Sequence, residues 1–467
     1  MNLPSLQKLS ACLGFVAIAT SCVAEPESQP ERPNILFLSI DDLRPELGSY
    51  GSPQVITPHM DRLAAKGVLF NRAYVQVPVC GASRASLMTG ILPTRTRFTT
   101  FTSRADQDAP GAATLPQVFK KAGYTTISNG KVFHTPEDTN DRSWSKPAWV
   151  PDLNGRHSHD PETTRRLSDR DRGRIYEYPD VPDDAYYDGL VTKRTIADLR
   201  RLKEAREPFF LACGFFNPHL PFYAPKRYWD LYERDEIDIA EFRERPMNAP
   251  RQLRGSGEYT SYHLGDYDPD SDAFHRVMRH GYLASTSYVD QLVGDILDEL
   301  AELGLADNTI IVLWGDHGFH LGEYNFWGKH NTMHLSLHIP LIMYVPDGQK
   351  GVTDALVETS DIFPTLCKLA GIPIPDTVQG KSFAALFEQP EQPFREVVYS
   401  RWQGGDTAIT ERFNYTRWGN GAEMLYDLSE DPKETVNVAG EDAYAEHIEK
   451  MRTLLEQRMA EAAEFKR

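Results

Sequence analysis

The stretch Asn34–Asp42 reads NILFLSIDD, an apolar run that ends in two adjacent aspartates. Apolar residues at consecutive positions, rather than alternate ones, predict a strand buried on both faces, as in a parallel sheet covered by helices. The same unit recurs along the chain. TTISNG (125–130) is followed by Lys131, PFFLACGFF (208–216) by His219, and TIIVLWG (309–315) by Asp316 and His317. A further strand is predicted at PLIMYVP (340–346). Between them lie helix-periodic segments at 57–67, 114–124, 185–205 and 273–306, the last read as one long helix or two. This alternation predicts an α/β fold with a mostly parallel central sheet flanked by helices.

From about residue 390 the rhythm changes. REVVYSRW, TAITERFNYTRWG and AEMLYDL read as antiparallel strands, and 442–463 as a charged amphipathic helix. The expected organisation is an export segment at 1–24, a catalytic α/β domain at 25–390 and a small α+β subdomain at 391–467 with a terminal helix. Two long polar stretches, 137–183 and 243–272, interrupt the pattern. Loops of that length are commonly functional, and these are read as pocket walls.

The chain has 467 residues and a net charge of −17. That charge argues against nucleic acid as a partner, but it leaves room for a locally basic pocket. Lys8 and the short apolar segment ACLGFVAIAT (11–20) read as an export signal. Two processing readings stand. Cleavage after Ala24 gives a soluble periplasmic or secreted product, the preferred reading. A lipid on Cys22, in ATSC, gives a membrane-anchored one. Cys213 and Cys367 sit in apolar strand and helix patterns and are expected to be buried structural thiols.

In open α/β sheets, ligands bind beyond the carboxyl ends of the strands. The polar groups that follow each strand should therefore converge. Asp41, Asp42 and Asp316, with His317 beside them, would form an oxygen-rich cage suited to Ca²⁺ or Mg²⁺. Arg84, Lys131 and Lys329 would surround it with positive charge, an arrangement fitted to a sulfate or phosphate ester. His134 and His219 are candidates for proton transfer. Cys80, at the expected start of a helix, is the candidate nucleophile, directly or after modification. His330, Asn331 and His334 follow Lys329 closely and are candidate substrate-side residues.

The segment CGASRASLMTG (80–90) resembles the type I sulfatase signature Cys-x-(Pro/Ala)-Ser-Arg-x-x-Leu-x-Thr-Gly. The likeness extends through RPNILFLSIDDLRPELGSYG, TPHMDRLAAKGVLFNRAY, GKVFH, GFFNPHLPF and WGDHGFHLGE. The wording of DDLRP, GKVFH and GDHG is similar to the iduronate-2-sulfatase branch. The resemblance implies an alkaline-phosphatase-like fold. It also implies that a maturation enzyme oxidises Cys80 to Cα-formylglycine, whose hydrate attacks sulfur and then releases sulfate by reforming the aldehyde. By position it implies one Ca²⁺ held by Asp41, Asp42, Asp316, His317 and modified Cys80. Arg84 would hold the nucleophile, Lys131 and Lys329 would bind the sulfate oxygens, His219 would serve the leaving oxygen, and His134 would assist release of the intermediate. His317 stands where many sulfatases carry Asn, and Lys131-x-x-His134 replaces the commoner Lys-x-His; both fit the iduronate-type branch.

The expected substrate is a sulfated polysaccharide or oligosaccharide, with a 2-sulfated uronic acid suggested by the branch. A carboxylated sugar would want a further cation, for which the arginines of the two long loops are candidates. The competing readings are a phosphoester or phosphonate hydrolase of the same fold, and a sulfated-glycan binding protein in which Cys80 stays a thiol.

Overall fold

The computed structural model describes Met1 and residues 32–153, 155–160, 163 and 172–465. The export segment with Cys22, and the loop residues Arg165, Arg166 and Arg170, lie outside the described residues. Residues 33–467 form one compact unit.

A seven-stranded sheet runs through its centre. The strands are β1 (Asn34–Ile40), β2 (Val68–Phe70), β3 (Thr125–Gly130), β4 (Phe209–Phe215), β5 (Thr309–Gly315), β6 (Leu341–Tyr344) and β7 (Gly351–Thr353). Their order is β7-β2-β6-β5-β1-β4-β3. Four neighbours, β3, β4, β1 and β5, are mutually parallel. The PLIMYVP strand, β6, runs antiparallel between β5 and β2.

Burial explains why β1 reads as an unbroken apolar run. Ile35 and Phe37 point into one hydrophobic core, while Leu36, Leu38 and Ile40 point into the other. β5 divides the same way, with Ile310, Val312 and Trp314 on one face and Ile311 and Leu313 on the opposite one. Helices α1 (Pro58–Lys66), α4 (Tyr187–Ala205) and α5 (Asp272–Glu302) cover one face. Helices α2 (Cys80–Thr89), α3 (Leu115–Lys121) and α6 (Ile362–Leu369) cover the other. The 273–306 segment forms a single helix that ends at Glu302, capped by the Ser271 side chain accepting from the Phe274 N–H. Cys213 and Cys367 are buried, and burial pushes both thiols up to about 12, so neither is poised to react.

The C-terminal stretch forms a four-stranded antiparallel sheet, β8 (Val398–Trp402), β9 (Gly405–Ile409), β10 (Phe413–Trp418) and β11 (Glu423–Asp427). The segment TAITERFNYTRWG supplies two strands rather than one, because the chain turns at 410–412 and the Thr410 N–H returns to the Phe413 carbonyl at 2.9 Å. Helix α7 (Ala445–Ala463) packs Ile448, Met451 and Leu455 onto Tyr399, Tyr415 and Leu425.

A buried ion cluster fastens this layer to the core. Arg458 of α7 donates to both Glu358 carboxylate oxygens at 2.8 Å. Arg395 joins Glu358 at 3.1 Å and donates to both Asp361 oxygens at 2.6 and 2.7 Å. Removing one partner of such a cluster leaves a buried charge uncompensated, which costs about 3–5 kcal/mol. Arg458→Ala is therefore expected to lower unfolding free energy by about that amount in a urea titration, whereas an exposed pair such as Lys226–Asp230 should contribute about 1 kcal/mol or less.

Candidate active site

Because β1, β3, β4 and β5 are parallel, their carboxyl ends share one edge of the sheet. That edge presents Asp41 and Asp42 after β1, Lys131 after β3, His219 after β4, and Asp316 and His317 after β5. Cys80 opens helix α2 against this edge. Gly81 lets that helix start where it does, since a Cβ there would collide with the Phe101 carbonyl. Gly130, at φ 77°, makes the turn that delivers Lys131.

One ligand atom each from Asp41, Cys80, Asp316 and His317 lies within 4.8 Å of the other three. His317 Nε2 is 3.3 Å from Asp42 Oδ1 and 3.5 Å from Asp316 Oδ1. Its Nδ1 faces the Gly318 carbonyl at 3.1 Å, so this N–H is used and Nε2 faces the carboxylates. Nε2 is buried and has no hydrogen-bond partner among the described residues. A buried imidazole nitrogen beside three buried carboxylates is a donor set for a divalent cation, and the oxygen majority suits a hard one.

Arg84 organises the helix side. Its Nε donates to Asp316 Oδ2 at 2.9 Å, and its Nη1 donates to Ser39 Oγ at 2.8 Å and to the Val132 carbonyl at 3.1 Å. Lys131 pairs with Asp41. Lys329 donates to both Asp42 oxygens at 2.8 Å and lies 3.3 Å from Glu258. Burial opposes the charge on both lysines, but the carboxylates outweigh it and hold them above the usual lysine range. Burial also opposes ionisation of Asp41, yet Lys131, His219 and Arg84 hold its carboxyl well below the ordinary value. Asp42 goes the other way, raised by burial and by Asp41 and Asp316 despite Lys329. A bound divalent cation would cancel the repulsion among the three acids.

A cavity of about 570 Å³ opens over this cluster. Cys80, Lys131, His134, His219, Lys329 and His330 all line it. Burial followed by Lys131 pushes His134 down to about 4, and burial followed by Lys329 pushes His219 well below the usual histidine range. His219 is held by its Nδ1, 2.5 Å from the Leu220 carbonyl, which turns Nε2 towards Glu258 at 3.6 Å. Both long polar stretches supply walls, Arg156 and Arg172 from the first and Glu258 from the second. Two other residues near Lys329 face elsewhere. Asn331 spends its side chain on His320 at 3.1–3.2 Å and on the Met333 N–H at 3.0 Å. His334 is packed against Tyr74 and His338, with ring centroids 5.6 and 4.6 Å away.

Glu258 was not singled out from the sequence. It gathers Lys329, His219, Arg156 and Arg172, the last at 3.0 Å, and despite burial Lys329, followed by His219 and Arg156, holds its carboxyl well below the ordinary range. Nothing in GSGEYTS distinguishes it from other loop acids. Phe216, the floor under Lys131 Nζ at 4.9 Å and Arg156 at 5.6 Å, is likewise only one apolar residue in a strand pattern.

Buried carboxylates, paired ammonium groups and a cysteine at a helix start, converging at the carboxyl edge of a largely parallel sheet, define a hydrolase for esters of tetrahedral oxyacids. The sulfatase family model matches residues 33–372, and the C-terminal model of N-sulphoglucosamine sulphohydrolase matches residues 322–461. Iduronate 2-sulfatase of Mus musculus is 35% identical over 420 residues, covering 80% of this chain and 75% of that protein. The Homo sapiens iduronate 2-sulfatase is 34% identical over 421 residues, covering 80% and 76%. Phosphonate monoester hydrolase from Silicibacter pomeroyi superposes with a TM-score of 0.75 at 24% identity, covering 92% of this chain and 96% of that one. The chain belongs to the sulfatase family, in its iduronate-2-sulfatase-like branch, and is a sulfuric ester hydrolase.

The loop carrying Lys329 rests on the His320–Asn331 contact, and this sets an acid limit. Burial pushes His320 down to about 4, against about 6.5 in an unfolded chain. The unfolded state therefore takes up a proton first, and stability falls as pH drops from about 6.5 towards 4, by at most about 3 kcal/mol from this group. Urea unfolding at pH 7, 5.5 and 4.5 should show a slope of this sign, to which the buried His134, His219 and His338 also contribute, and His320→Gln should lessen it by one group's share.

Proposed function

We propose that the protein removes sulfate from a sulfated glycan, using a formylglycine made from Cys80 and one bound Ca²⁺. The observation that carries this reading is the meeting of the Cys80 side chain with Asp41, Asp316 and His317, atoms from three separate strand and helix ends, in one buried cluster. Asp41, Asp42, Asp316 and His317 would hold the cation, and their buried oxygens and the free His317 Nε2 fit it. When bound, the cation supplies Lewis acidity at the sulfate oxygens, and the hydrated aldehyde supplies the nucleophile.

The chain's own residues do the rest. Lys131 and Lys329 bring two ammonium groups to the cavity floor, where charge on the transferring sulfuryl group must be stabilised. Arg84 fixes residue 80 by locking α2 to Asp316 and Ser39. His219, held by the Leu220 carbonyl, offers Nε2 towards the leaving oxygen, and neutral His134 can accept a proton from the nucleophile side. Arg156 and Arg172 place two guanidiniums on the sugar side, suited to a carboxylated sugar such as a 2-sulfated uronic acid. We read the protein as exported, and as the substrate of a separate maturation enzyme that acts on the Cys80 segment.

Mass spectrometry of the Cys80 peptide from active enzyme should show sulfur and two hydrogens replaced by one oxygen. Cys80→Ala should lower aryl sulfate turnover by at least about a thousandfold while the fold persists. An unmodified thiol in fully active protein would end the formylglycine reading. Chelator dialysis should abolish turnover and lower the thermal midpoint, with Ca²⁺ restoring both. Retention of full activity in metal-free protein would exclude the cation's role.

A further inference from the structure

Beside the active-site cavity lies a second cleft of about 270 Å³, and His330 lines both. Three segments build the cleft: Arg251–Arg254 of the second long loop, His330–Thr332, and the β8–β9 turn with Trp402 and Gln403. Trp418 lines it from β10. The partition between the two spaces is an aromatic stack. The His330 ring lies parallel to Trp402, at 4.9 Å between centroids and 8° between planes.

Arg251 and Arg254 are exposed, and no carboxylate pairs with either among the described residues. Among the described residues, the one side-chain hydrogen bond of the pair is Arg254 Nε to the Arg251 carbonyl at 3.5 Å. In a chain of net charge −17, two guanidiniums with no carboxylate partner among the described residues line one cleft and make it locally basic. Their backbone is not loose. Leu253 between them is buried against Tyr324, Phe326 and Trp418, and its carbonyl accepts from Arg245 Nη1 at 2.6 Å. The Met247 N–H reaches the Thr435 carbonyl at 2.8 Å, which ties the loop to the C-terminal layer. The arginines are thus presented from a fixed support, next to a half-buried indole and the amide of Gln403.

We infer that this cleft is a second sugar subsite, taking an anionic saccharide unit that adjoins the unit whose sulfate ester is cleaved. This rests on the glycan-sulfatase reading above and adds to it. Guanidiniums fork onto sulfate or carboxylate oxygens, the bidentate geometry an anionic sugar substituent offers. One sugar in the main cavity with its neighbour beyond the His330–Trp402 wall would make the enzyme prefer an oligosaccharide to a single sulfated sugar. The adjoining unit's charge would be read by Arg251 and Arg254.

The test compares two disaccharides that share a 2-sulfated uronate and differ only in the adjoining glucosamine, N-sulfated in one and N-acetylated in the other. A third probe carries the N-acetylated glucosamine with an added carboxylate, to separate sulfate from carboxylate recognition. The wild-type enzyme is expected to show kcat/KM at least about tenfold higher for the N-sulfated than for the N-acetylated disaccharide. That ratio should shrink as salt is raised, since the arginines are exposed. In the double variant Arg251→Ala/Arg254→Ala it should fall to about one, with thermal unfolding reporting that the fold is intact. A ratio near one in the wild type, or a ratio that survives in the double variant, overturns the subsite while sulfate release from both disaccharides keeps the glycan-sulfatase reading. Sulfate release from an aryl sulfate but from none of the disaccharides overturns both.

Discussion

The carboxylate of Asp316 is the knot on which the site depends. One oxygen accepts the Asp42 N–H at 3.0 Å and the other accepts Arg84 Nε at 2.9 Å. The residue's own carbonyl accepts the Ser83 hydroxyl at 2.6 Å. A single residue at the end of β5 thereby fixes the turn after β1 and the first two turns of α2. The relation between residue 80 and the acids after β1 is set by side-chain bonds between buried residues, not by loop packing. Buried hydrogen bonds to charged partners are costly to break, so the constellation is held before any ligand arrives. The φ of 57° at Asp42 is part of the same knot, since its backbone must bend to aim its N–H at Asp316.

Burying three carboxylates in one place would ordinarily be prohibitive. The cost is met here by placing Arg84, Lys131 and Lys329 against the same three groups. Of these, Lys131 and Lys329 belong to the cavity as well as to the acids, while Arg84 stays buried behind it. The charge of the two lysines that makes the acids tolerable within the fold is thus also presented to the pocket. A fold that needed those cations only for stability could have used uncharged hydrogen-bond donors. Glu258 extends the pattern outward, since it neutralises part of the cluster of Lys329, Arg156 and Arg172 and keeps those side chains gathered at one rim.

The sequence carried the sheet and the residues at its edge for a simple reason. A strand buried on both faces cannot hide its apolar run, and a polar residue directly after it must lie at the strand's end. Asp41, Asp42, Lys131, His219, Asp316 and His317 were legible in that way. The direction of β6 was not, because a buried strand reads alike in parallel and antiparallel neighbours. Glu258, Arg156 and Arg172 were legible only as members of polar loops. Their placement depends on where two long excursions return over the sheet edge, and no local periodicity encodes that. Asn331 and His334 show the same limit: adjacency to Lys329 in sequence does not decide which way a side chain turns.

The C-terminal layer is part of the site rather than an appendage to it. The Thr332 carbonyl accepts the Asn414 amide at 3.1 Å, and the Thr332 hydroxyl accepts from Thr416 at 2.9 Å, both from β10. Glu434, buried beyond β11, accepts the His334 N–H at 2.7 Å and also binds the Asn414 amide. The segment from Lys329 to His334 is therefore held from below by strands that follow it by some eighty residues or more. Lys329 reaches Asp42 because that support fixes its backbone, and His330 meets Trp402 because the same sheet supplies the indole. A boundary drawn at residue 390 marks a change in local pattern, but the bonds that position Lys329 cross it.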